Sequence, residues 1–357
     1  MPKDKKITVL VVEDSNVLQL LLVHLLNSDP QIEVIGTAKN GFEALQALAQ
    51  KSPDVILMDV EMPEMDGFEA TRRIMETRPV PIVICSASSD PHDAITTFRL
   101  MEVGAIAFVQ KPLGREHRDF AARSDHLIQT VKLMSEVKVV RRWPRRSDVA
   151  APAALAGAGT RTSKNVKLIG IGASTGGPPV LQTILTALPK DFPVPLLVVQ
   201  HIAPGFVEGL AEWLNQTTGS KIHIAAFGMR PMPGHVYLAP DDFHMAVRAE
   251  GDILLNKEEP ENSLRPSVGR LFRSLAEVCG PNAVGVLLTG MGKDGAAELK
   301  YMKDRGAFTI VQDQETSVVH GMPGEAIALG AATRVLPADK IADALIAHVR
   351  RHQSLQP

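Results

Sequence analysis

Short β-branched apolar runs alternate with stretches of helical spacing along most of the chain, and this alternation constrains the fold more than any other feature. Residues 7–12, 32–38, 55–58, 80–85 and 105–109 are expected as strands, with helical periodicity over 15–26, 41–50 and 127–138. Parallel neighbours need crossover connections, so the pattern predicts a doubly wound parallel sheet. The rhythm stops at 139–164, where Arg141, Arg142, Trp143, Pro144, Arg145 and Arg146 lead into a non-periodic Ala/Gly/Pro/Thr stretch. It resumes with strands expected at 167–171, 196–200, 222–225, 236–239, 253–256, 284–288 and 309–312, and a helix at 180–188. The expectation is two doubly wound parallel-sheet α/β domains, 6–125 and 165–353, joined by a helical extension and flexible linker over 126–164. A length of 357 residues suits two such domains.

Several function classes fall away on composition. The chain carries 38 Lys and Arg against 40 Asp and Glu, and residues 165–357 alone hold 17 against 19, so no nucleic-acid partner is expected despite the short basic run. The apolar runs 9–12 and 196–199 are strand-sized, far short of a membrane span, so no membrane insertion is expected. The N-terminal Met-Pro-Lys-Asp-Lys-Lys lacks the pattern of a signal peptide. With two cysteines, Cys85 and Cys279, in apolar surroundings, a reducing cytoplasm is the expected location.

At the carboxyl ends of the first five strands stand Glu13 and Asp14, Asp59, Ser86, and Lys111-Pro112, and in an open parallel sheet those ends line the ligand crevice. Three carboxylates sharing a crevice repel one another unless a hard divalent cation joins them, and Mg²⁺ is the natural choice. Asp59 could then act as a carboxylate nucleophile toward a phosphoryl group, with Lys111 and Ser86 on its oxygens. In order and spacing, Glu13-Asp14-Ser15, the segment 57–67 around Asp59, Ser86 and Lys111-Pro112 resemble the flavodoxin-like receiver domain of two-component response regulators. The resemblance implies Mg²⁺ held by Asp14, Asp59 and the backbone carbonyl of Glu61, with Glu13 acting through water. It also implies phosphorylation of Asp59 and a switch-aromatic role for Phe108. The family commonly has Asp-Asp where this chain has Glu13-Asp14.

In the second half, Gly170, Gly172 and Gly176 are spaced one residue too long for a dinucleotide-binding turn, and the next strand ends in Gln200-His201 where an acid is wanted. Ser174 instead sits in G-x-S-x-G on a strand-to-helix turn, His201 ends the adjoining strand, and Asp294 follows the strand at 284–288. These three would converge at strand ends as a nucleophile, a base and an orienting acid. His320 offers a second ordering, Ser174–Asp294–His320, ranked below His201. A metal reading of His235, His244, Asp241 and Asp242 is weak, and a structural or substrate-rim role is favoured.

The segments 172–177, 200–201, 236–240, 288–295 and 321–324 make this half similar to the Rossmann-like catalytic domain of bacterial chemotaxis protein-glutamate methylesterases. That resemblance implies the triad Ser174, His201 and Asp294, with Thr175 and Met291 near the oxyanion and no cofactor in this domain. Its implied activity is phosphorylation-activated demethylation of glutamate γ-methyl esters, with glutamine deamidation. The implied substrate is the cytoplasmic helices of chemoreceptors, the implied phosphodonor a chemotaxis histidine kinase, and the implied location the receptor array. Ser317 and His320 stand where Cys and Tyr are expected, and Gly269 where an acid is common. A phosphorylation-controlled binding module on a degenerate esterase scaffold is the alternative.

Overall fold

The computed structural model describes residues 6–86, 91–112, 114, 117, 119–137 and 166–353. The linker expected around 139–164 lies outside the described residues.

The first sheet takes its strands in the order β2-β1-β3-β4-β5, all parallel. Its elements are β1 (Ile7–Val12), α1 (Asn16–Ser28), β2 (Ile32–Ala38), α2 (Gly41–Gln50), β3 (Val55–Asp59), α3 (Gly67–Thr77), β4 (Ile82–Ser86), α4 (Pro91–Glu102), β5 (Ala107–Gln110) and α5 (Phe120–Ser135). Helices cover both faces, so β3 and β4 are buried along their whole length. Helix starts follow local chemistry: Asn40 accepts the Glu43 N–H at 2.9 Å and Asp66 the Glu69 N–H at 2.8 Å. Gly67 is required by close approach, because a Cβ there would lie 2.1 Å from the Asp59 carbonyl oxygen.

Strands 4 and 5 start two residues later than expected. Pro81 precedes β4 with no N–H to give a ladder, and Ala105 N–H is spent on the Leu100 carbonyl at the end of α4. The domain boundary drawn at residue 125 falls inside α5, whose Leu127, Val131 and Met134 are buried against the first sheet. That helix is a layer of the first domain rather than an extension beyond it.

The second sheet has seven parallel strands in the order β14-β13-β12-β6-β7-β9-β8. Its elements are β6 (Leu168–Ala173), α6 (Gly177–Ala187), β7 (Leu196–Gln200), α7 (Val207–Thr218), β8 (Lys221–Ile224), β9 (His235–Leu238), β10 (His244–Val247), β11 (Ile253–Asn256), α8 (Val268–Val278), β12 (Ala283–Leu287), α9 (Ala296–Asp304), β13 (Phe308–Gln312), α10 (Gly321–Ala328), β14 (Arg334–Leu336) and α11 (Ala338–Gln353). Two apolar clusters line its faces. The run 253–256 does not join this sheet; it pairs antiparallel with β10, which the sequence left unassigned. The short edge strand β14 was also unassigned, and α6 begins earlier than 180, with Pro178 and Pro179 in its first turn. Both halves are parallel-sheet α/β domains, as expected.

The two halves touch. Helix α4 packs on α7 and α6, and its Phe98 stacks on Trp213 with ring centroids 5.5 Å apart. Glu102 Oε1 accepts hydrogen bonds from Trp213 Nε1 (3.1 Å) and Gln182 Nε2 (2.7 Å). Phe108 on β5 lies 4.8 Å from the Phe206 ring, and Gln110 Nε2 donates to the Pro204 carbonyl at 3.1 Å. Val318 and Val319 pack on the cluster beneath the first sheet.

Candidate active site and phosphoacceptor cleft

The first-sheet cleft is about 590 Å³ and is lined by Glu13, Asp14, Asp59, Glu61, Ser86 and Lys111 among others. Parallel strands deliver these residues because β1, β3, β4 and β5 all end on one edge. Lys111 Nζ lies 2.8 Å from Glu13 Oε2 and 2.7 Å from Asp59 Oδ2, all three side chains being buried. Burial pushes both carboxyls up, the Lys111 ammonium pulls them down, and repulsion from Asp59 on Glu13 and from Asp14 on Asp59 adds to the rise. Burial lowers the Lys111 ammonium, but its bonds to Asp59 and Glu13 outweigh this and hold it above its ordinary value. Glu13, Asp14 and Asp59 each offer a carboxylate oxygen, and these lie within 4.8 Å of one another. Hard oxygens with an excess of negative charge fit a divalent cation, and among the described residues no other group of three such side chains does. Phe108 does not line this cleft; its ring faces the second half.

At the second sheet, Ser174 follows β6 and His201 follows β7, strands paired through Ala173 and Gln200. Asp294 reaches the same edge on the loop after β12, the other neighbour of β6. Ser174 takes no left-handed backbone conformation; the sharp step of the turn falls on Gly176, at φ 77°. Gly290 faces Ser174 so closely that a Cβ would stand 2.7 Å from the serine Cβ. Gln200, unremarked in the sequence beyond marking a strand end, ties the two loops by donating to the Ser174 and His201 carbonyls at 2.8 Å each.

His201 Nε2 donates to Asp294 Oδ2 at 2.9 Å. Burial pushes the Asp294 carboxyl up, but His201, the Ser267 hydroxyl and the Val268 amide outweigh it, so the carboxyl sits below its usual value. The N–H groups of Thr175 and Met291 have no backbone partner among the described residues. His320 is not among the partners of Asp294; its Nδ1 lies 3.4 Å from Ser317 Oγ at the start of α10.

The four residues of the disfavoured metal reading are engaged separately. Asp242 pairs with Arg265, Asp241 Oδ2 accepts from Gly205 N–H at 2.5 Å, and His235 Nδ1 meets His223 Nε2 at 2.8 Å. His244 is fully buried, so it belongs to the core and not to a rim. Where an acid is common, Gly269 gives its N–H to Asp294 Oδ1 at 3.2 Å, and a Cβ there would meet the Glu298 carboxyl at 3.1 Å.

Comparison with known proteins identifies both halves of the chain. Residues 169–345 match the CheB methylesterase family and residues 9–119 the response regulator receiver domain. The protein-glutamate methylesterase/protein-glutamine glutaminase of Nitrosospira multiformis is 53% identical over 95% of this chain and 96% of its own. The chain belongs to the protein-glutamate methylesterase/protein-glutamine glutaminase family. A second member, from Geobacter metallireducens, is 53% identical over 95% of this chain and 98% of its own. The crystal structure of the Thermotoga maritima CheB methylesterase catalytic domain superposes with a TM-score of 0.50 at 43% identity, covering 51% of this chain and 98% of that one. The family bears out the expected hydrolase class and the receiver resemblance. Among the described residues no helix is long and apolar enough to cross a membrane.

Proposed function

We propose that the chain is a phosphorylation-activated serine hydrolase that removes γ-methyl esters from glutamates on chemoreceptor cytoplasmic helices, and that it also deamidates receptor glutamines. The observation that carries this reading is the His201–Asp294 contact beside Ser174 at the ends of adjacent strands. Ser174 Oγ attacks the ester carbonyl carbon while His201 Nδ1 takes its proton. The tetrahedral adduct collapses by breaking the bond to the methoxy oxygen, which leaves as methanol with the proton from His201. Water then repeats the sequence on the acyl-enzyme, freeing the glutamate carboxylate. Asp294 holds the imidazole by Nε2–H and stabilises the imidazolium. Thr175 and Met291 N–H groups receive the oxyanion, a term worth about 3 kcal/mol per donor. A degenerate scaffold would not keep all of these groups in place.

On the first sheet, Asp59 is the phosphoacceptor: its carboxylate oxygen attacks phosphorus of a chemotaxis histidine kinase phosphohistidine, and the P–N bond breaks. Glu13, Asp14, Asp59 and the Glu61 carbonyl would hold Mg²⁺, which when bound neutralises the acids and the incoming phosphoryl charge. Lys111 and Ser86 take the phosphoryl oxygens, and Phe108 conveys the change to Phe206. The docked first domain restrains the hydrolase, supported by its contacts with the loop after His201 and with Val318 and Val319. The enzyme works in the cytoplasm, at receptor arrays.

The test is methanol release from methylated receptor cytoplasmic fragments, with and without a small phosphodonor and Mg²⁺. Release should depend on Ser174 and rise on phosphorylation. Undiminished release by Ser174→Ala would remove the nucleophile, and a release rate that phosphodonor and Mg²⁺ leave unchanged would remove the switch.

A further inference from the structure

Helix α8 starts at a residue that does not cap it. Ser267 occupies the N-cap, where a serine ordinarily accepts an N–H from the first turn, yet its side chain makes no such bond. Instead its hydroxyl donates to Asp294 Oδ1 at 2.8 Å. The capping role has passed to Asp294 itself, which takes the Val268 N–H on Oδ2 (2.6 Å) and the Gly269 N–H on Oδ1 (3.2 Å).

With His201 on Oδ2, the carboxylate has two donors on each oxygen, and its acceptor sites are filled. Two of these donors are backbone groups that no side-chain substitution removes. Besides His201, Ser267 is the side chain that sets how the carboxyl group is turned. Ser267 is fully buried and is fixed in turn from β10: its N–H donates to His244 Nδ1 at 3.3 Å, while His244 Nε2 donates to the Glu259 carbonyl at 3.1 Å. Both nitrogens of this buried imidazole are thus committed to backbone partners, which fixes the ring's orientation.

We propose that Ser267 is a positioning residue of the hydrolytic centre: its hydroxyl fixes the rotation of the Asp294 carboxyl so that Oδ2 stays aimed at His201 Nε2. This rests on reading Ser174, His201 and Asp294 as that centre. Without the hydroxyl, Oδ1 keeps the longer Gly269 bond alone, the carboxyl can turn within the helix N-terminus, and the His201 contact loosens although substrate contacts are untouched.

The experiment compares full-length wild type with Ser267→Ala and Ser267→Thr. In Ser267→Ala, kcat on a methylated receptor fragment should fall about 10- to 100-fold, the value of one hydrogen bond to a charged group, with KM within about twofold. The downfield NMR signal of the His201 Nε2 proton should vanish into exchange with water, and Ser267→Thr, which keeps a hydroxyl, should retain it. A Ser267→Ala protein that keeps the signal overturns the proposal, as does a wild type that never shows it. If both variants lose kcat while both keep the signal, Ser267 matters for packing alone, and the proposal is equally lost. The signal needs no substrate, so a wild type inactive on receptor fragments counts against the proposed function while the signal still decides the role of Ser267.

Discussion

Phe98→Ala tests whether contact between the two halves restrains hydrolysis. Phe98 belongs to the first domain by sequence, but the apolar cluster that buries it completely is that of the second sheet, where it stacks on Trp213. Removing a buried aromatic ring costs about 3–5 kcal/mol, and part of that is the edge contact with Phe108 inside its own domain. About 2–4 kcal/mol then falls on docking, which weakens it about 30- to 1000-fold. Glu102 and Phe108 remain as weaker ties. Basal methanol release should rise tenfold or more and lose most of its response to phosphodonor. Docking is read separately: the sequence has two tryptophans, so in a Trp143→Phe background Trp213 reports alone, and its emission should move to the red as the ring gains water. A red shift without a gain in activity would falsify restraint by docking. No change in either signal would mean that the Phe98–Trp213 contact does not hold the halves together.

Asp294→Asn should lower kcat by about a thousandfold or more, because an amide cannot accept from all four of its donors, whereas His320→Ala should stay within about threefold; the opposite ranking in a turnover assay would favour His320 as the base. Asp59→Ala should leave basal hydrolysis intact and abolish stimulation by small phosphodonors, with chelation of Mg²⁺ giving the same result; stimulation surviving either treatment would move the phosphoacceptor elsewhere. Burial against Phe308, with His352 and Arg351 nearby, pushes the His348 imidazole down to about 4. Unfolded, it titrates near 6.5, so between those values the unfolded chain binds the extra proton. Stability is full above pH ~6.5 and falls as pH drops toward 4, by about 1–2 kcal/mol after discounting partial exposure. Melting curves of His348→Phe from pH 7 to 4 should lack this component, and an unchanged pH slope would assign it to other groups.

Much of the fold was legible because parallel strands buried on both faces are continuous apolar runs, as in β3, β4 and β7. The runs that misled were those whose neighbours decide their role. The 253–256 segment has strand composition, but its partner β10 carries a polar start at His244, and nothing local tells a hairpin from a sheet member. Edge strand β14 has three residues, too few for a periodic signal. In the site, Ser174, His201 and Asp294 stand at strand ends that motif spacing exposes. Ser267 and His244 escaped because they act through partners 27 and 23 positions away in sequence, a separation fixed only once α8 and β10 pack. The signal available for Ser267 was an N-cap type before a helical stretch, which points to a helix start and not to an acid elsewhere.

The placement of β12, β6 and β7 as the third, fourth and fifth of seven strands has a kinetic meaning. Each is hydrogen-bonded on both sides, so the amides beneath Ser174, His201 and Asp294 open only when the whole second sheet comes apart, and they should be the last to exchange with deuterated water. The loop around 202–205 that meets the first domain hangs outside those ladders and can open at far smaller cost, whereas 317–320 is bridged to the end of β12 through Gly290 and Thr289. The domain can therefore loosen its cover over and over on a fast timescale while the chemistry beneath it keeps one geometry, and heat inactivation should coincide with global unfolding instead of preceding it.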